Sequence, residues 1–429
     1  MPSQNPMTTS SGPTFNKEAH VRYWLRCLKT LLPTQYTSMD TIRMTLAFFI
    51  LSALDLLSAL QTRTSNVERE AYVDWIYRSQ HPSGGFRGSP ATSLGLQSGR
   101  QNEHWDPPNL AATFFALISL LVLGDDLARL EHRGCLDLLP KLQRGDGSFG
   151  ELLGEDGKPQ GGTSMRYAYF AAAIRWILRG GKRPSAEADV DVPSLLKYIN
   201  SSKVHMNSNT LYWIILFVPK ANDICQTYDH GYSEAAYNEA HAGLTYCAIS
   251  ALAFLDDLPQ KASSFSGKAG LEDTVHWLVS RQSALNADGD DPRHDHTTQD
   301  VHAITSHHNS PISHHLAQPP PALDEAASQC AGFSGRINKP ADTCYSFWVL
   351  SHADLISSYL NRNFLLNRTQ HRIGGFGKLP GDVPDILHSY LGLAALATLG
   401  EEGLKPLDAA LCVSVETKTR LEGLKWRSS

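Results

Sequence analysis

Six helix-length segments of the chain are rich in Ala, Leu and aromatic residues, and strand-type alternation of apolar and polar positions is scarce. Several of these segments are apolar on almost every side. In a soluble protein such a helix must be covered all round by other helices. The pattern therefore predicts an all-α fold with an inner and an outer layer of helices. The segments are 44–60, 110–124, 165–178, 244–255, 344–360 and 386–399.

A Gly-Phe motif recurs between these segments, at Phe86, Phe149, Phe333 and Phe376, with a glycine within two residues on each side. Each copy precedes an apolar segment. A repeated helix pair with a glycine-rich turn is typical of solenoids and closed rings, in which each unit buries its face against its neighbours. We interpret the repeat as a closed ring, an α/α barrel or toroid of helix pairs joined by Gly-Phe turns.

Three stretches do not fit the repeat. Residues 1–18 are polar and lack the apolar region of a secretion signal, so we expect a disordered tail before a barrel over 19–429. Residues 286–328 hold seven of the eighteen histidines and few large apolar residues, which predicts a disordered loop. Residues 204–226 carry a β-prone apolar run without a helical period. That segment is either a retained intron or a lineage-specific insertion.

Composition excludes several classes of protein. A formal charge of −5 argues against a general nucleic-acid binder, which needs clustered Lys and Arg. Seven cysteines without any C-x-x-C pair are unlike a disulfide framework and indicate a reducing, cytoplasmic location. The longest apolar run, 110–124, is shorter than the roughly 20 residues needed to cross a bilayer, so we expect no membrane span.

The segment around Asp342 and Cys344 carries the clearest chemical signal. Residues two apart do not share a face inside a regular helix, so these two side chains converge only at a helix start, which Pro340 marks. His388 opens the next apolar segment. Successive inner helices of a ring run parallel, so residues near their N-termini meet at one rim.

Asp342, Cys344 and His388 would offer oxygen, sulfur and nitrogen ligands. Three protein ligands with one open position are typical of catalytic zinc, and the open position would accept a substrate thiol as thiolate. The structural alternative is a helix-capping aspartate, a small core cysteine and a capped histidine. On these three residues alone both interpretations stay open.

Donors for a diphosphate lie near the same rim. Arg336 and Lys339 precede the zinc pair, and His241 and Tyr345 would lie beside helix N-termini, where anions bind well. The alternative for the two cations is ordinary solvated charge.

The run 335–348, GRINKPADTCYSFW, resembles the zinc and diphosphate signature of protein prenyltransferase β subunits, particularly those of type I geranylgeranyl enzymes. The similarity extends from 20–22 through 45–49, 123–127 and 239–243 to His388. It implies transfer of geranylgeranyl from geranylgeranyl diphosphate to the cysteine of C-terminal CaaX motifs, with X often Leu, in proteins such as Rho-type small GTPases. It also implies an obligate α subunit and one Zn²⁺ per β subunit.

The resemblance assigns roles residue by residue. Catalytic residues would be Asp342, Cys344, His388 and Lys378, the first three of them as the metal ligands. The isoprenoid diphosphate would be bound by His241, Arg336, Lys339, Tyr345, Thr45 and Trp348. The peptide would be bound by Arg166, Tyr167, Leu387 and Phe115.

Two of these positions bear on specificity and metal use. The resemblance implies that Thr45 stands at the far end of the isoprenoid tunnel, where farnesyl relatives carry a tryptophan that shortens it. Lys378 stands where farnesyl relatives carry an aspartate that binds magnesium, so we expect no requirement for Mg²⁺. The chain departs from the family at Ala242, where a glycine is usual, and at Asn109 and Phe115, which replace a His and a Thr of the peptide pocket.

Other functions fit the sequence less well. The run 288–291, DGDD, matches the acid motif of class II terpene cyclases but lies in the 286–328 loop, without a D-D-x-x-D motif elsewhere. A non-catalytic helical scaffold is possible for any ring of helices. The catalytic alternatives are a farnesyltransferase or a Rab geranylgeranyltransferase β subunit. The loop histidines lack a fixed spacing and are left out of the site.

Overall fold

The computed structural model describes residues 14–95, 103–180, 189–203, 230–236, 238–258, 271–284, 329–350 and 356–428. The predictions for 204–226 and 286–328, and most of the predicted tail, lie outside these residues. In chain order the described α-helices are α1 (Lys17–Lys29), α2 (Arg43–Leu56), α3 (Leu60–Arg63), α4 (Asn66–Tyr77), α5 (Leu110–Leu123), α6 (His132–Leu142), α7 (Met165–Arg179), α8 (Val192–Ser201), α9 (Ala242–Phe254), α10 (Glu272–Val279), α11 (Thr343–Leu350), α12 (Ser358–Phe364), α13 (Ile386–Thr398), α14 (Val415–Glu422) and α15 (Lys425–Ser428). A π-helical turn, Leu365–Thr369, follows α12.

Six inner helices form a closed ring. Helices α2, α5, α7, α9, α11 and α13 each pack against the next, and α13 packs back against α2. These are the segments that are apolar on almost every side, and neighbours on both flanks and an outer layer cover them. The outer helices include α1, α4, α6 and α8, which pack on the inner helices next to them in the chain. The ring confirms the predicted α/α toroid.

Three predicted boundaries differ from the structure. Helix α1 begins at Lys17, capped by Asn16, inside the stretch predicted as a tail. The 44–60 segment is not one helix, because α2 ends at Leu56 and Ser58 has a φ of 55°. The 344–360 segment is also not one helix, because Ser357 caps a separate helix, α12, through its hydroxyl.

Short strands supplement the helices. Within the described ranges they form three two-stranded antiparallel ribbons: β1 (Leu152–Leu153) with β2 (Pro159–Gln160), β3 (Gln282–Ala284) with β4 (Ala331–Phe333), and β5 (Leu407–Asp408) with β6 (Val413–Ser414). In the same ranges no helix is long and apolar enough to cross a membrane.

The Gly-Phe turns hold the starts of the inner helices at one rim. The four phenylalanines are fully buried. In three of these turns the phenylalanine carbonyl accepts a hydrogen bond from the backbone amide of the residue just before an inner helix. The carbonyl of Tyr232 does the same in a turn that the sequence pattern did not reveal. The pairs are Asn109 with Phe86, His241 with Tyr232, Asp342 with Phe333, and Asp385 with Phe376. The residues that precede α5, α9, α11 and α13 therefore have fixed backbones, which is what a site at the rim requires.

The C-terminal part of the chain crosses the interior of the ring. Tyr169 of α7 and Tyr246 of α9 donate hydrogen bonds to the carbonyls of Ala410 and Ala409 at 2.9 and 2.8 Å. Tyr390 of α13 donates to the carbonyl of Cys412. Because these tyrosines come from both sides of the ring, residues 409–412 lie between the inner helices. They close the interior below the rim.

Candidate metal and substrate site

Asp342, Cys344 and His388 lie together at the rim. Asp342 and Cys344 flank the first residue of α11, and His388 lies in the first turn of α13. All three side chains are buried, and one ligand atom from each lies within 4.8 Å of the others. The sequence prediction that a helix start would bring this spacing together agrees with the geometry.

A purely structural role, as helix caps and core residues, accounts for the backbone contacts of these residues. It does not account for the clustering of their side chains. Asp342 does act as a cap, since its Oδ1 accepts a hydrogen bond from the Cys344 amide at 2.8 Å. Asp385 caps α13 by accepting from the His388 amide at 2.9 Å. In addition, Asp342 Oδ1 lies 3.3 Å from His388 Nε2. Capping and clustering therefore occur together, because the caps orient the same side chains toward one point.

Without a bound metal the cluster holds protons. Burial raises the pKa of the Cys344 thiol well above its usual value, and the charge of Asp342 adds to this effect. Burial lowers the pKa of His388, but the hydrogen bonds that its ring donates to Asp342 and Asp385 outweigh burial and raise that pKa to about 9. Burial opposes ionisation of Asp342, yet its contacts with His388 and Cys344 hold its pKa below the usual value.

The donor set fits zinc. A carboxylate oxygen, a thiol sulfur and an imidazole nitrogen within 4.8 Å of one another are the ligand types of catalytic zinc sites, whereas Mg²⁺ and Ca²⁺ prefer oxygen alone. A divalent cation would replace the protons that the cluster otherwise retains. Among the residues that the structure describes, this is the group whose geometry would allow it to hold a metal ion.

His241 and Tyr345 form a hydrogen-bonded pair beside this cluster. His241 precedes α9, and its Nδ1 accepts a hydrogen bond from the Gly243 amide at 3.0 Å. Burial and the charges of Arg336 and Arg166 lower the pKa of His241 to about 4, so the ring is neutral and carries its proton on Nε2. That nitrogen lies 3.1 Å from the Tyr345 hydroxyl.

The direction of this hydrogen bond leaves a donor available. Because His241 Nε2 donates to the phenolic oxygen, the hydroxyl hydrogen of Tyr345 can point to a ligand. Burial raises the pKa of Tyr345, so the hydroxyl keeps its hydrogen at neutral pH. Trp348, one turn along α11, has its ring 5.3 Å from that of Tyr345 and 6.5 Å from that of His241.

Three cations lie on the loops that lead into α11 and α13 at this rim. Arg336 and Lys339 are exposed on the loop before α11, and Arg336 Nη1 lies 3.5 Å from a carboxylate oxygen of Glu239. Lys378 is exposed on the loop before α13, and its backbone carbonyl accepts a hydrogen bond from the Thr343 amide at 3.0 Å. The charge of Lys378 acts to lower the pKa of Cys344, which places this cation near the cluster.

The inner helices are mostly buried, but three of them carry half-buried residues along one face. Thr45 and Phe49 are one turn apart on α2, Ala111 and Phe115 on α5, and Tyr345 and Trp348 on α11. Rings on this face pack together. Phe115 lies 5.0 Å from Phe48, 6.1 Å from Phe49 and 5.4 Å from Phe170 between ring centroids. The face is apolar and turned to the ring interior.

The residues assigned to peptide binding lie at the same rim. Arg166 is exposed in the first turn of α7, Leu387 is half-buried beside His388, and Tyr167 follows Arg166. The Tyr167 hydroxyl donates to Glu151 Oε2 at 2.9 Å, and the side-chain nitrogen of Asn109, Nδ2, donates to Glu151 Oε1 at 2.6 Å.

The sequence analysis missed two residues of the site, Glu151 and Asp385. Glu151 directly follows a Gly-Phe turn, and its carbonyl accepts from the Leu110 amide at the start of α5, so its position in the repeat could have indicated it. Asp385 stands three residues before His388, and a capping aspartate at that spacing could have been recognised as its partner.

Comparisons with known proteins agree with this architecture. A family model described as the prenyltransferase alpha-alpha toroid domain matches residues 15–413. The geranylgeranyl transferase type-1 subunit beta of Arabidopsis thaliana is 29% identical over 94% of this chain and 90% of its own length. The protein of the same name from Dictyostelium discoideum is 28% identical over 90% of this chain and 91% of its own length.

A solved structure shares the fold. Candida albicans protein geranylgeranyltransferase-I complexed with GGPP superposes with a TM-score of 0.70, at 24% identity, over 96% of this chain and 100% of that one.

Proposed function

The chain belongs to the prenyltransferase α/α toroid family, and from this we propose that it is the catalytic β subunit of a type I protein geranylgeranyltransferase. It transfers a geranylgeranyl group from geranylgeranyl diphosphate to the cysteine sulfur of C-terminal CaaX motifs. The last residue X is often Leu, and clients include proteins such as Rho-type small GTPases. The names of the two relatives support this proposal, and the solved structure supports the fold on which it depends.

The observation that carries the proposal is the Asp342, Cys344 and His388 cluster beside the His241 and Tyr345 pair. A thiol-binding metal group and diphosphate donors at one rim are what an alkylation of sulfur by an isoprenoid diphosphate requires. One Zn²⁺ per chain, bound by those three residues, would hold the client's cysteine as a thiolate at neutral pH.

The chain's own residues act on the leaving group. The reaction forms a bond between the cysteine sulfur and carbon 1 of the isoprenoid, and breaks the bond from that carbon to the diphosphate oxygen. Negative charge then develops on the diphosphate. The Tyr345 hydroxyl, ordered by His241, and the side chains of Arg336, Lys339 and Lys378 would stabilise that charge.

The apolar face of the ring interior accommodates the isoprenoid chain. Trp348 lies near the diphosphate donors, and Thr45 would lie at the end of the tunnel, one turn from Phe49. Because threonine is small, the tunnel is long enough for four isoprene units. At the rim, Arg166 would anchor the peptide's C-terminal carboxylate through water, and Tyr167, Leu387 and Phe115 would shape the pocket for its last residue.

The proposal also covers the partner subunit, the location in the cell and the two segments that interrupt the barrel. The partner is a prenyltransferase α subunit, and the enzyme acts in the cytoplasm without a need for Mg²⁺. We also propose that the barrel, which begins with α1 at Lys17, is interrupted by a dispensable loop at 286–328. The segment 204–226 remains either a retained intron or an insertion, and sequencing cDNA across this junction decides between them.

A competition assay tests the function against its nearest rivals. The chain is expressed with its α subunit and incubated with a CaaL peptide and equal concentrations of geranylgeranyl and farnesyl diphosphates, and products are identified by mass spectrometry. We expect mainly the geranylgeranylated peptide, and none with a control peptide in which Ser replaces Cys. Mainly farnesylated product would indicate a farnesyltransferase. The absence of any prenylated peptide would favour the scaffold alternative.

A further inference from the structure

Asp385 makes three polar contacts with its two carboxylate oxygens. Its Oδ1 accepts a hydrogen bond from the His388 backbone amide at 2.9 Å. Its Oδ2 lies 2.6 Å from His388 Nδ1. The hydroxyl of Tyr36 donates to the same Oδ1 at 3.4 Å. The carboxylate thus contacts the ring and the backbone of His388 and also a distant tyrosine.

The contact with Nδ1 determines which nitrogen of His388 is available. An ionised carboxylate can only accept, so the proton of the neutral imidazole must lie on Nδ1. Nε2 then carries a lone pair, and it is Nε2 that lies 3.3 Å from Asp342 within the metal group. Outer carboxylates of this kind orient metal-binding histidines in many proteins.

Tyr36 comes from a different part of the chain. It ends a short 3₁₀ turn, Thr34–Tyr36, in the linker between α1 and α2. Its half-buried hydroxyl also interacts with the backbone at Ile386 and Leu387, at the start of α13. Burial, with the charge of Asp385, raises the pKa of Tyr36 to about 12, so the hydroxyl remains a donor at neutral pH.

We propose that Asp385 and Tyr36 are positioning residues for the metal site, Asp385 by orienting His388 and Tyr36 by holding Asp385. Neither residue would contact the metal or the substrates. Tyr36 acts from the α1–α2 linker, so this linker becomes part of the support of the site, although it lies 349 residues away in the chain. The inference rests on the proposed metal site and does not depend on which isoprenoid or peptide is used.

The variant Asp385→Asn separates orientation from helix capping. Asparagine caps helices as well as aspartate does, so its single side-chain oxygen can still accept from the His388 amide. Its amide nitrogen cannot accept from Nδ1. Tyr36→Phe removes only the hydroxyl. Tyr198→Phe serves as the matched control, because it removes a tyrosine hydroxyl that donates to the Glu234 carbonyl at 2.8 Å, on the outer helix α8.

The test measures metal binding by the full chain in complex with its α subunit. Zinc affinity is obtained by competition with a chelator, and cobalt replaces zinc for absorption spectroscopy of the ligand field. We expect Asp385→Asn to weaken zinc binding by roughly 10- to 100-fold and to shift the cobalt bands. Tyr36→Phe should weaken it by about 2- to 10-fold, the range for loss of one hydrogen bond, and Tyr198→Phe should leave both readouts unchanged.

The double variant shows whether Tyr36 acts through Asp385. If it does, adding Tyr36→Phe to Asp385→Asn produces little further loss of zinc affinity. Additive losses, or a Tyr36→Phe variant with unchanged affinity and cobalt spectrum, would exclude the role of Tyr36. Unchanged readouts in Asp385→Asn would exclude both.

The controls also distinguish this inference from the proposed function. An unmutated complex that binds no zinc would overturn the metal site and this inference together. A complex that binds zinc but transfers no isoprenoid would overturn the function alone, and the affinity and spectral comparisons would still decide the roles of Asp385 and Tyr36.

Discussion

His241 Nε2 lies 3.1 Å from the hydroxyl of Tyr345, and this short contact links the residue that precedes α9 to the first turn of α11. Since His241 Nδ1 already accepts from the Gly243 amide, the histidine can only donate to the tyrosine. The pair therefore presents one ordered hydroxyl hydrogen to the space beside the metal group. In the proposed reaction that hydrogen is donated to the diphosphate.

Tyr345→Phe should slow isoprenoid transfer by about 100-fold, the typical cost of losing one donor to a developing negative charge. Zinc content should stay unchanged, because Tyr345 is not among the clustered ligand residues. Single-turnover rates and metal analysis of the variant complex provide the check, with Tyr198→Phe as the control. A variant that retains the full rate would remove Tyr345 from the leaving-group site.

Thr45→Trp should change the preference between isoprenoid donors. Filling the end of the tunnel removes the space for the fourth isoprene unit, so the ratio of kcat/KM for geranylgeranyl over farnesyl diphosphate should fall by on the order of 100-fold. The two diphosphates are compared with one CaaL peptide. An unchanged ratio would show that Thr45 does not line the tunnel.

Lys378→Ala should slow turnover by on the order of 10- to 100-fold, because one cation beside the leaving diphosphate is lost. The unmutated complex should need no added Mg²⁺, since this lysine already supplies positive charge. Rates are measured with and without millimolar Mg²⁺ in both proteins. Strong Mg²⁺ dependence of the unmutated enzyme would contradict the role of Lys378.

Zinc should stabilise the protein more at high pH than at low pH. In the metal-free protein the pKa of His388 is raised from 6.5 to about 9, so its contribution to stability is complete below pH 6.5 and is lost as pH rises through 9. Zinc competes with that proton and with the proton of Cys344, and both protons leave more readily as pH rises.

The shift in Tm on adding zinc to chelator-treated complex should therefore be larger at pH 8.5 than at pH 6. Thermal unfolding followed by fluorescence at the two values measures this shift. Equal shifts at both values would mean that these protons are not displaced by the metal.

Much of the fold could be predicted because the sequences of the inner helices are apolar on almost every side. A segment such as 110–124, apolar all round, can only be an inner helix of a layered all-α fold. Helix ends were less predictable. Ser58 adopts a φ of 55° just after α2, and Ser357 caps a new helix inside a segment that the apolar pattern treats as continuous.

In the candidate site, too, some residues could be predicted from the local sequence and others could not. Asp342 and Cys344 could be paired from their spacing beside Pro340, and His388 from its position at the next helix start. The contact of Tyr36 with Asp385 could not be predicted, because it joins residues 349 positions apart and Tyr36 lies in a linker outside the repeat. Glu151 occupies a repeat position, but its partners are Asn109, just before α5, and Tyr167, on α7, and the local sequence does not reveal these contacts.

The central claim is that Asp342, Cys344 and His388 bind the zinc on which thiol alkylation depends. The most direct measurement is the zinc content of the purified complex together with its single-turnover rate, for the unmutated chain and for Asp342→Ala. The account predicts one zinc per unmutated complex. In the variant, zinc affinity and alkylation rate should fall together by roughly 100-fold or more, because losing a ligand costs more than losing an outer partner. An Asp342→Ala complex with full zinc and an unchanged rate would contradict it.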